Sequence, residues 1–145
     1  MRIALLVTSI AIPLLLLAAC GDEAERTTVE VTLSEFEVVT DVDSVPEGEV
    51  TFNIENKGAE EHEFVIVQTD FAADDLPAED DGSVDEGADG VDVVGEAEDI
   101  ESGDDDSRVF TLDPGKYVLF CNLVEGEESH YQSGMFTAFE VTAAD

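Results

Sequence analysis

Basic side chains are almost missing from this chain. Five Lys and Arg stand against 37 Asp and Glu, a formal net charge of −32 over 145 residues. No surface of such a chain can neutralise a phosphate backbone, which excludes nucleic acid as a partner. Charges of one sign repel at low ionic strength, and dissolved salt screens the repulsion. The composition therefore points to a protein that works in high salt, with an acidic docking face for a basic partner as the second reading. No EF-hand spacing supports calcium as the reason for the acidity. No convincing helical repeat occurs either, which turns the fold class toward strands. Cysteine, histidine and methionine occur only twice each, which limits any site that uses them.

The N-terminus is the one long apolar stretch. Met1-Arg2 is a short basic start, and Ile3 to Leu17 is apolar apart from Thr8, Ser9 and Pro13. The run is short and ends abruptly, so it reads as an export signal over residues 1–19. It closes on "LAAC", Leu17 to Cys20, which resembles a bacterial lipobox: small residues for the peptidase, then a thiol that takes the lipid. The expectation is a chain lipidated at Cys20, tethered through residues 20–27 and held on the outer face of a cell membrane. The alternative is an ordinary signal or N-terminal anchor helix in which Cys20 is incidental. If Cys20 carries lipid, Cys121 has no disulfide partner. A lone thiol in an oxidising compartment is either a metal ligand or a small apolar side chain kept by burial.

From residue 28 on, turn signals punctuate alternating runs. Val29, Val31 and Leu33 share one parity; Phe36 and Val38 fall on the other, so the run holds a bulge or two short strands. "VPEGEV" is turn chemistry before Val50, Phe52 and Ile54. After Asn56-Lys57-Gly58, His62, Phe64 and Ile66 share a face, with Val65 and Val67 opposite. Arg108 to Leu112 is a short strand. Pro114-Gly115 turns into a strand where Tyr117, Leu119 and Cys121 point one way. Met135 to Thr142 is the last strand, with Phe139 and Val141 on one parity. Short strands spaced by turns predict an all-β Greek-key sandwich or barrel over residues 28–145. Between Asp74 and Asp106 lie 16 acidic residues, no basic ones and five scattered glycines. That composition predicts a long acidic insertion, residues 71–107, largely loop, pinned to the domain through Val91, Val93, Val94 or Ile100. "FAADDLP" can form one helical turn ended by Pro77.

The informative stretch is "CNLVEGEESHYQSGM". Eight residues separate Cys121 from His130 and four separate His130 from Met135; 58 residues separate His62 from the cysteine. Singly, each reads as a core residue with a satisfied side chain. Together they offer two imidazoles, a thiolate and a thioether from strand ends and one loop. A trigonal His₂Cys set with a weak axial Met suits copper that cycles between two oxidation states.

With these residues the chain resembles the cupredoxins, the blue-copper family that includes plastocyanin and azurin. The likeness runs from about Val29 to Thr142. Its specific part is the Pro-Gly turn, the Tyr-containing strand and Cys-x8-His-x4-Met. The resemblance implies a cupredoxin-type fold and one type 1 copper on His62, Cys121, His130 and Met135. Many members carry Asn after the upstream His, where it ties the loop by hydrogen bonds; this chain has Glu63. Glu125, Glu127 and Glu128 precede His130, where the family often places an apolar rim.

The resemblance implies a non-enzymatic electron carrier; with the lipobox-like end of the N-terminal run, the expectation is a monomer held on a membrane through its N-terminal lipid and serving redox proteins of the cell envelope such as cytochromes or an oxidase. A copper storage or delivery protein is the rival. A copper reductase or oxidase needs a second His cluster, and both histidines are already used. A Cys-His hydrolase leaves Met135 and His62 unexplained.

Overall fold

A computed structural model describes residues 27–144. The expected signal segment 1–19, Cys20 and all but the last residue of the expected tether lie outside the described residues. Thr27, assigned to the tether, already opens the first strand.

Eleven strands follow in order: β1 (Thr27–Ser34), β2 (Glu37–Thr40), β3 (Ser44–Pro46), β4 (Gly48–Asn56), β5 (His62–Gln68), β6 (Asp92–Ile100), β7 (Asp105–Leu112), β8 (Gly115–Phe120), β9 (Val124–Glu125), β10 (Glu128–Ser129) and β11 (Phe136–Thr142). No helix occurs among the described residues. The strands form two sheets, ordered β2-β1-β4-β7 and β3-β11-β8-β5-β6, with β9 and β10 as a small separate ribbon. The predicted all-β sandwich is therefore the observed architecture. The phase change after Leu33 is a turn at Glu35-Phe36, and β1 and β2 are two short antiparallel strands joined there.

The inward parity of each strand builds the core between the sheets. Val29, Val31 and Leu33 of β1 and Val50, Phe52 and Ile54 of β4 meet Phe64, Ile66, Tyr117, Leu119, Phe139 and Val141 from the other sheet. Phe52 is its centre, with ring centroids 5.4 Å from Phe64 and 5.9 Å from Phe139. Such tilted aromatic contacts add to the stabilisation from burial alone. β5 and β8 are apolar on both parities because both of their faces are covered. Val65, Val67, Val118 and Phe120 point away from the main core, into a second cluster with Leu76, Val84, Val91 and Tyr131.

That second cluster changes the reading of the acidic insertion. Asp70 to Val91 is irregular, as expected; "FAADDLP" makes one turn, closed by the Asp75 N–H on the Ala72 carbonyl at 3.0 Å. Beyond it the expected loop is strand. Asp92–Ile100 pairs along β5 as the sheet edge, and β7 starts at Asp105, not at Arg108. β5 needs a partner for its backbone edge, and backbone hydrogen bonding is indifferent to side-chain charge. The edge strand turns Ala97 and Ile100 inward, and most of its carboxylates face water. Of the predicted anchors, Val91 and Ile100 are buried, Val94 packs against the core, and Val93 is exposed.

Candidate metal centre

Three chain segments end at one pole of the sandwich. β5 starts there with His62, β8 delivers Cys121 there, and β11 leaves just after Met135. The antiparallel registers Val65↔Phe120 and Phe136↔Phe120 bring these ends side by side. The loop closes on its own backbone: the His130 N–H donates to the Leu123 carbonyl, the Met135 N–H to the His130 carbonyl, and the Cys121 N–H to the Met135 carbonyl, all within 3.0–3.1 Å.

These constraints gather the sequence-predicted residues. His62 Nδ1 lies 3.2 Å from His130 Nδ1, and Cys121 Sγ lies 3.4 Å from the same nitrogen. His62, Cys121 and Met135 are fully buried and His130 is 1% exposed; Met135 shares the core cluster of Cys121.

The outer nitrogen of His62 settles which way that imidazole faces. His62 Nε2 is 3.2 Å from Glu35 Oε1, and His130 Nε2 is 3.7 Å from Glu60 Oε2. An ionised carboxylate only accepts, so the His62 Nε2 carries the hydrogen and its Nδ1 keeps a lone pair. That lone pair points at a second imidazole nitrogen and a sulfur. Burial, and then the neighbouring His130, hold His62 below its ordinary pKa, so its ring stays neutral. Burial pushes the Cys121 thiol up to about 11, so a metal must displace its proton to use it. Two imidazole nitrogens and a displaceable thiol, buried and facing one another, fit a cation of borderline-soft preference. The donor set fits copper.

Four neighbours take on a role in the structure, and of these only Glu63 is singled out in the sequence. Glu63 Oε1 accepts the Asn122 N–H at 2.8 Å, and the Glu63 N–H donates to Cys121 Sγ at 3.4 Å. Glutamate thus makes the loop tie expected of Asn at this place. Phe36 packs edge-on against His130, with centroids 5.1 Å apart. Glu35 and Glu60 are the other two. Glu35 precedes His62 by 27 residues, a spacing with no local signal. The acidic rim is present: Glu125, Glu127 and Glu128 are exposed around a His130 that is itself covered. His130, Glu60 and Glu125 could hold a cation by distance alone, but exposed carboxylates cluster readily in so acidic a chain.

The irregular acidic segment reaches this loop too. Ser129 donates to the Gly82 carbonyl at 2.7 Å, and Asn122 Nδ2 donates to the Val84 carbonyl at 3.1 Å. The Tyr131 hydroxyl accepts the Leu76 N–H and donates to the Ala73 carbonyl, both at 2.9 Å. Neighbours of Cys121 and His130 are therefore strapped to residues 73–84.

A family model described as a cupredoxin-like domain matches residues 6–130. Among solved structures, the dithionite-reduced auracyanin of the photosynthetic bacterium Roseiflexus castenholzii is similar at 25% identity and TM-score 0.55, over 82% of this chain and 98% of its own. Rusticyanin of Thiobacillus ferrooxidans is 18% identical at TM-score 0.54, over 80% of this chain and 78% of its own, a likeness of fold. No curated protein matches.

Proposed function

The chain belongs to the cupredoxin-like domain family, and from that premise we propose that it is a single-copper electron carrier with His62, Cys121, His130 and Met135 as ligands. We propose further that lipid at Cys20 holds it on the outer face of a cell membrane, where it serves other redox proteins of the envelope. The observation that carries the reading is the convergence of His62 Nδ1, His130 Nδ1 and Cys121 Sγ within 4.8 Å of one another.

When bound, copper supplies a one-electron couple between two oxidation states. The rest is the work of the chain. Cys121 and Met135 favour the reduced ion, and the two imidazoles serve both states. Sheet ends, the Glu63–Asn122 tie and the residue 73–84 strap hold the ligands still, so little must move when an electron passes. Burial keeps water from the donors. The acidic rim favours a partner with a basic face.

Storage or delivery of copper calls for an exposed, exchangeable site, and these ligands are buried. A redox titration separates the two. A carrier takes up and releases one electron per chain reversibly; a chain that binds copper but cannot cycle is a storage or delivery protein.

A further inference from the structure

The turn between β1 and β2 reaches the metal centre from the opposite sheet. One carboxylate oxygen there has three donors. Glu35 Oε1 accepts the Ala59 N–H at 2.8 Å and the Glu60 N–H at 2.9 Å, and lies 3.2 Å from His62 Nε2. The two backbone donors belong to the loop that leads into β5, so one oxygen fixes both the loop and the ring at its end. Asn56, fully buried, shapes the same loop: it donates to the Glu60 carbonyl and accepts the Gly58 N–H, at 2.8 and 2.9 Å. The space has been kept for this contact. A Cβ on Gly58 would fall against Glu35 Oε1 and 2.9 Å from His62 Nε2, so only glycine lets the carboxylate and ring meet. His62 is fully buried, and Glu35 is the partner of its outer nitrogen.

We infer that Glu35 is the positioning residue of the metal centre: it fixes the tautomer and orientation of the His62 ring, and its negative charge favours Cu(II) over Cu(I). The inference rests on the proposed copper site, but its first half concerns the metal-free chain. A ring that donates from Nε2 to a carboxylate must present the Nδ1 lone pair inward, toward Cys121 and His130. A fixed anion behind the ring stabilises the more positive of two charge states at the metal. Phe36, the next residue, packs on His130, so one turn buttresses both imidazoles.

The test uses the full chain purified in detergent, with Glu35→Ala and Glu35→Gln. The chain has two histidines, so its imidazole nitrogen spectrum contains two rings, assigned with His62→Gln. Metal-free wild type should show His62 as the Nε2–H tautomer with a slowly exchanging proton. Glu35→Ala should lose that proton; Glu35→Gln should keep it, because the amide oxygen still accepts. Copper affinity should fall about 10–100-fold in Glu35→Ala. In Glu35→Gln, loss of the charge alone should lower the Cu(II)-to-Cu(I) affinity ratio about tenfold, a rise of about 59 mV in midpoint potential. A wild-type imidazole spectrum in Glu35→Ala overturns the positioning role. A wild-type potential in Glu35→Gln overturns the electrostatic one. If Glu35→Ala does not fold, loss of the slow proton in His62 of Glu35→Gln, together with an unmoved potential, overturns both. A wild-type chain that binds no copper defeats the proposed function, while the imidazole spectra still decide the role of Glu35.

Discussion

Glu63 Oε1 takes the Asn122 N–H at 2.8 Å, which joins the residue after one proposed ligand, His62, to the residue after another, Cys121. Burial lifts this carboxyl from 4.5 to about 7, against the lowering pull of the Asn122 N–H. A folded-state pKa above the unfolded one means that the folded chain binds the proton more tightly. Stability is then lost as pH rises from 4.5 through about 7, and the loss is complete above it. Glu63→Gln keeps an acceptor for Asn122 and cannot ionise. The metal-free variant should melt above wild type at pH 8 and close to it at pH 5. A difference that is equal at both pH values, or larger at pH 5, contradicts the assignment.

Tyr131→Phe tests the strap. The hydroxyl serves both the Leu76 N–H and the Ala73 carbonyl, and Leu76 is buried. Removing it strands a buried donor, at a cost of about 1–3 kcal/mol. Urea unfolding should register that loss while copper still binds. An unchanged unfolding midpoint would mean that the segment is only laid on the surface.

The parts of the site that were legible in the sequence are those whose chemistry is rare or local. Cys121, His130 and Met135 sit in one loop, and a chain with two histidines leaves His62 as the only other imidazole. Strands such as Val29-Val31-Leu33 showed because one face is buried and one wet. Glu35 was hidden as one carboxylate among 37 acidic groups, brought to His62 by sheet packing rather than spacing. β6 was hidden because an edge strand needs only Ala97 and Ile100 inside, and its remaining composition looks like solvated loop.

Salt should stabilise the protein. Among the described residues the basic side chains make only surface pairs, Lys57–Glu55, Lys116–Asp70 and the half-buried Arg108–Asp106, which contribute little. Repulsion is visible locally at Glu61, whose carboxyl is pushed up by burial and then by Glu101, Asp99 and Glu125. The Debye length falls from about 30 Å at 0.01 M salt to about 3 Å at 1 M. Melting temperature should therefore climb with sodium chloride, steeply at first. A flat or falling curve would assign the acidity to docking.

Cys20 should be the first residue of the mature chain and carry a diacylglyceryl group. A single acyl chain anchors weakly, so two or three are expected. Mass spectrometry of the N-terminus extracted from membranes decides it; an unmodified start at another residue rules out the lipid anchor.

The most direct measurement is the absorption spectrum of the metal-free protein as Cu(II) is added. A ligand set containing the Cys121 thiolate predicts an intense thiolate-to-copper charge-transfer band that saturates at one copper per chain and is abolished in Cys121→Ser. No band in the wild type, or a band that survives in Cys121→Ser, would contradict the copper site.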